Sequence, residues 1–145
     1  VTCTTGIVPY EAVADLWPAI VPLLDPAVAR SGNRMSMETV LRSLEAGTHL
    51  LWVITEGDEL LAAMITRSAQ YPLSKMLVVE SLGGRQMKKW VQNTHDTLTS
   101  FAKATGHDGL ELYGRPGWVK ALKPYGWKHS MVVCEVNFDQ ERPDV

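Results

Sequence analysis

The chain has 145 residues, with 14 Lys and Arg against 16 Asp and Glu, a net charge of −2, 46% hydrophobic and 21% charged residues. That length leads us to expect one domain with a real core and excludes two ordinary domains, and the composition excludes disordered and fibrous classes. The acidic balance gives no support to nucleic-acid binding, whose affinity rests on Lys and Arg neutralising phosphates.

The apolar run near the middle at residues 50–54 is far short of the roughly eighteen residues of a membrane span, so no membrane partner is expected. No basic stretch leads into an apolar segment at the amino end, and the expected location is cytoplasmic. Cys3 and Cys134 lie far apart, lack the short-range partners of zinc or redox motifs, and read as free thiols.

In chain order, Val13, Leu16, Trp17, Ile20, Val21 and Leu24 recur at three and four, predicting a helix from Tyr10. Pro18 and Pro22 are expected to kink or break it, and Asp25 and Pro26 to mark a turn. Ser36 as N-cap, Glu38 in the first turn, the stripe Met37, Val40, Leu41 and Leu44, and Gly47 as terminator predict a second helix. Residues 49–55 and 60–66 read as a hairpin turning through Glu56, Gly57 and Asp58.

Residues 76–80 predict a buried strand that ends in Ser81, Leu82, Gly83 and Gly84. Met87, Trp90, Val91, Thr94, Leu98, Phe101 and Ala102 then define a long amphipathic helix stopped by Gly106. Residues 110–113 read as a strand, 117–123 as a short helix and 130–138 as a final strand. The pattern leaves room for one more strand before the first helix. The expected fold is a mixed α/β domain over residues 1–138, followed by a polar tail at 139–145. Its strand–loop–helix–strand unit from Met76 to Tyr113 requires two parallel strands.

In such a unit the turn after the first strand delivers backbone N–H groups to the positive end of the helix, where anions bind. Leu82, Gly83, Gly84, Arg85 and Gln86 are therefore the candidate phosphate cradle, with the glycines permitting positive φ and close approach. There is neither a lysine-containing phosphate loop nor a three-glycine dinucleotide fingerprint. Arg85, Lys88 and Lys89 open the helix against its dipole, so an anion, Glu80 or solvent must offset them. Glu80, ending the strand, is placed either to take a proton or to pair with Arg85 or Lys88. His49, His95, His107 and His129 have no metal or triad spacing and read as surface or loop residues.

The element order, the words LGGRQMKKW and YGRPGW, and the ending Leu122, Lys123, Pro124, Tyr125, Gly126, Trp127 before a last strand resemble the GNAT acyltransferase superfamily. Within it they resemble the small GNAT-like proteins of phages and prophages. The resemblance spans nearly the whole chain. It implies a GNAT-like fold that takes acetyl-CoA or another acyl-CoA across a splayed pair of parallel strands, with the pyrophosphate on Leu82 to Gln86. It further implies an amine acceptor attacking the thioester directly, with Glu80 as base.

Two departures stand out. The superfamily loop usually reads Arg or Gln, two residues, Gly, one residue, then Gly or Ala, and the loop here is shorter. Leu122 occupies the position of the superfamily's frequent general-acid tyrosine, which leaves nearby Tyr125 as the candidate proton donor. The rival expectation keeps the fold without the chemistry: a virion or phage-assembly component acting through contacts with phage structural proteins.

Overall fold

A computed structural model describes residues 2–138; the tail expected at 139–145 lies outside the described residues. The chain divides into two compact units, Val1–Arg115 and Pro116–Val145. The first contains β1 (Cys3–Ile7), α1 (Tyr10–Ala29), α2 (Met37–Ala46), β2 (His49–Glu56), β3 (Glu59–Gln70), β4 (Lys75–Gly84), α3 (Met87–Ala104) and β5 (Gly109–Leu112). These strands form one sheet in sequential order, antiparallel except for the parallel pair β4–β5. The fold is thus mixed α/β, with helices on both faces of a mixed sheet.

Strand alternation decides which helix covers which face. Leu51, Ala63 and Ile65 point to one side and pack with Val13, Ile20, Leu24, Val28, Val40 and Leu44 of α1 and α2. Trp52, Met64, Leu77 and Val79 point to the other and pack with Leu98 and Ala102 of α3. The Trp52 indole N–H donates to the hydroxyl of buried Thr66 at 2.9 Å, which satisfies the one polar atom that this large side chain takes into the core. Thr5 of β1 bonds Asn93 at 2.8 Å and Thr94 at 2.9 Å, tethering α3 across the sheet.

The second helix and the hairpin have the expected form. Ser36 caps α2 in a reciprocal capping box with Thr39, and Gly47 ends it at φ 77°. Gly57, at φ 59°, sits in the turn between β2 and β3.

The expected break in α1 does not occur: the helix runs through Pro18, Pro22 and Pro26 to Ala29. The three prolines are four apart, all are exposed, and so are Ala14, Pro18 and Pro22, whose carbonyls lose their donors. Their exposure leaves those carbonyls open to solvent, while the opposite stripe, Val13, Ile20, Leu24 and Val28, stays buried. In length and apolarity α1 would suffice to cross a membrane, but here those four residues are buried among the helix's packing partners on the sheet.

In the second unit, α4 (Gly117–Leu122) leads into a 3-10 turn at Lys123–Tyr125 that Gly126 closes at φ 88°. The strand expected at 130–138 is not formed. Met131, Val132, Val133, Val136 and Phe138 have β-forming character but are 69–79% exposed, and no ladder holds them.

Candidate active site

The sequence placed Gly83 and Gly84 in a loop after the strand. In the structure β4 continues through both, opposite Ala63 and Ala62 of β3. Neither has a positive φ. Close approach is what requires glycine here: a Cβ on Gly83 would lie 1.9 Å from the Leu23 carbonyl oxygen of α1, and one on Gly84 would lie 2.4 Å from the Ala62 Cβ.

The β3–β4 register slips by one at Glu80, because Thr66 faces Val79 whereas Ile65 faces Ser81. Glu80 is therefore the extra residue of a β-bulge. Pairing of β4 with β5 stops at the same place. It runs from Met76–Gly109 to Val79–Leu112, with a last bond from the Tyr113 N–H to the Val79 carbonyl at 3.2 Å, while β4 goes on for five more residues paired with β3 alone.

The Arg85 N–H bonds Leu61 O at 2.9 Å, which orients Arg85 toward β3. By alternation Ser81 and Gly83 also face β3, and the amides of Leu82 and Gly84 face the side that β5 has left. Gln86, at φ 58°, then opens α3 with no side chain capping its first amides and no acid in its first turn. Main-chain donors and the positive end of the helix dipole thus meet along one opening.

Arg85 pairs with Glu59 at 3.0 Å and Lys89 with Glu56 at 3.1 Å, so two of the three cations at the start of α3 are offset within the protein. Lys88 has no ion pair among the described residues.

Glu80 pairs with neither Arg85 nor Lys88. Its Oε2 accepts from His49 Nε2 at 2.8 Å and from Arg67 Nε at 3.0 Å. His49 is thus no surface histidine; its side chain is 18% exposed, as is that of Glu80. The His49 hydrogen bond, aided by the charge of Arg67, holds the Glu80 carboxyl below the usual carboxylate range against burial, which pushes it up. The Arg67 guanidinium lies 5.7 Å from the centre of the Tyr113 ring. Tyr113 and Tyr71 both donate to Glu111, and hydrogen bonding of Tyr71 with Tyr113, and next with Glu111, pushes the Tyr71 hydroxyl up to about 12.

A cavity of about 270 Å³ has Leu50, Leu77 and Phe101 in its wall. These residues pack on the α3 side of the sheet, whereas alternation puts His49 and Arg67 on the opposite side with Leu51 and Ile65. Thr48 and Arg67 are nonetheless also in its wall, so the cavity borders the strands that carry the Glu80 cluster. Tyr125, the sequence's candidate proton donor, lies in the 3-10 turn of the second unit.

No protein-family model and no curated protein matches the chain. Solved structures do. An aminoglycoside acetyltransferase from an uncultured soil metagenomic sample superposes with a TM-score of 0.72 at 11% identity, covering 96% of this chain and 100% of that one. A predicted acetyltransferase with acetyl-CoA from Clostridium acetobutylicum gives 0.66 at 11% identity, over 94% and 96% of the two chains. Glucosamine-6-phosphate N-acetyltransferase from Arabidopsis thaliana gives 0.64 at 13% identity, over 96% and 100%. The chain has the fold of the GNAT acetyltransferases.

Proposed function

We propose that the protein is an acyl-CoA-dependent N-acyltransferase in which an amine attacks the thioester directly. The observation that carries this reading is the parting of β4 from β5 beyond Val79, with a bulged, ionised carboxylate at the fork. The opening suits an extended thioester arm. The Leu82 and Gly84 amides offer it hydrogen bonds, while the α3 amines and amides from Gln86 to Lys88 offer the pyrophosphate positive charge. Arg85 is the remaining member of the expected cradle and contributes through its position, its amide being committed to Leu61.

In the reaction the amine lone pair forms the C–N bond, the C–S bond breaks, and the sulfur leaves with its electron pair. An ammonium acceptor loses two protons overall, one released to solvent and one matching that taken up by the thiolate. A carboxylate held below its usual range is too weak a base to strip a free ammonium. It is suited to the later proton, on a nitrogen made acidic by bonding to the carbonyl carbon. Glu80 therefore binds the nitrogen and takes its proton as the bond forms.

Calorimetric titration with acetyl-CoA tests the reading: saturable binding is expected, and no heat at millimolar ligand contradicts it. The second reading, a phage particle or assembly component, draws its support from the exposed apolar residues Met131, Val132, Val133, Val136 and Phe138, which suit protein contacts. Presence of the protein in purified particles would favour it; presence only in infected-cell extract would count against it.

A further inference from the structure

We propose that Thr48, His49 and Arg67 form a positioning chain that commits one oxygen of Glu80 and turns the other toward the acceptor nitrogen, with His49 a fixed donor and not a proton carrier. The proposal rests on the acyltransfer reading for its catalytic consequence. Both donors converge on Oε2, from His49 at 2.8 Å and Arg67 at 3.0 Å. Among the described residues Oε1 has no partner, although a carboxylate has room for about four hydrogen bonds. Arg67 is held from two sides, by Oε2 and by the Tyr113 ring.

The hydrogen on the His49 ring follows from its neighbours. Glu80 is ionised, so a lone pair on Nε2 facing Oε2 at 2.8 Å would be repelled, and Nε2 must carry hydrogen. In the neutral ring Nδ1 then accepts from the Thr48 hydroxyl, 2.9 Å away. When the ring is protonated, Nδ1 donates to the same Thr48 oxygen, and the Thr48 hydroxyl turns to the Ser43 carbonyl at 3.3 Å. Thr48 thus completes the chain in either state, and Oε2 receives the same Nε2–H in both. Since His49 keeps that hydrogen throughout, it has no vacant site from which to take the proton that Glu80 receives. Orientation of a reacting group contributes to rate without adding a contact that holds the coenzyme.

Two measurements on the full chain test this. Nitrogen-15 NMR of the His49 ring is expected to show the Nε2–H tautomer in the neutral form; an Nδ1–H tautomer would overturn the proposal whether or not the protein transfers acyl groups. In kinetics, His49→Leu is expected to lower kcat about tenfold with KM for acetyl-CoA unchanged. His49→Gln, which retains an N–H donor but cannot carry a proton, is expected to restore most of the loss. Equal impairment of the two variants would make the ring a proton carrier and overturn the proposal, as would an unimpaired His49→Leu. Absence of turnover in the wild-type protein would instead contradict the acyltransfer reading, and the tautomer would still decide the positioning chain.

Discussion

Gly83→Ala adds a single methyl group where β4 passes beneath α1. The new Cβ would lie 1.9 Å from the Leu23 carbonyl oxygen, 3.0 Å from its carbon and 3.6 Å from the Leu24 Cα. All three are helix backbone atoms, so no rotamer change relieves the clash, and strand and helix must separate by roughly 1 Å. Ile20 and Leu24 are fully buried on that side of the sheet, so the separation loosens a packed core. Overpacking costs about 1–3 kcal/mol, and a backbone obstruction belongs at the upper end. For a chain of this size a loss of about 2–3 kcal/mol lowers the melting temperature by roughly 6–9 °C. Gly6→Ala is the control, because nothing lies within 4 Å of its added Cβ, and its effect is expected within about 1 kcal/mol. Urea and thermal unfolding followed by tryptophan fluorescence measure both variants. A Gly83→Ala protein that unfolds at the wild-type midpoint would refute the close-approach explanation of this glycine.

Other substitutions probe the charges. Glu80 is held below the ordinary glutamate value of 4.5, so its ionised form stabilises the fold above that pH, and the contribution is lost as pH falls through the lower folded-state value. The stability advantage of wild type over Glu80→Gln is therefore expected at neutral pH and should shrink below pH 4.5 in pH-dependent melting; a gap that widens in acid would contradict the His49 and Arg67 pairing. Lys88→Glu puts an acid in the first turn of α3, where the helix field favours it, so folding is expected to be unharmed. Affinity for acetyl-CoA should nevertheless fall about tenfold, the equivalent of one charge-assisted hydrogen bond, and unchanged affinity in calorimetry would remove Lys88 from the site.

The parts of the fold legible in the sequence were those whose cause is local. The Ser36–Thr39 cap, the Gly47 terminator and the Gly57 turn each need only a few neighbouring residues. The prolines of α1 misled because their effect depends on which face is wet, and that is set by the sheet on the other side. Gly83 and Gly84 misled because glycine signals a turn and a close contact alike, and only the positions of Leu23 and Ala62 distinguish them. Residues 130–138 have the composition of a strand, but a strand also requires a partner edge.

At the candidate site, the sequence singled out Glu80 as the end of a strand, whereas the structure places it at a bulge within β4. His49 and Arg67 were not found, because the bulge and the pairing of β2, β3 and β4 assemble them from separate strands. The coincidence of a bulge, a glutamate and the end of β5 was the missing signal, and register carries it.

Amide NMR during titration with coenzyme A tests most directly whether the opening between β4 and β5 receives the ligand. The predicted result is that the largest shifts fall on the main-chain amides of Leu82, Gly84, Met87 and Lys88, with little change along the paired segment from Met76 to Val79. Perturbations confined to the cavity around Leu50, Leu77 and Phe101, or none at millimolar ligand, would contradict it.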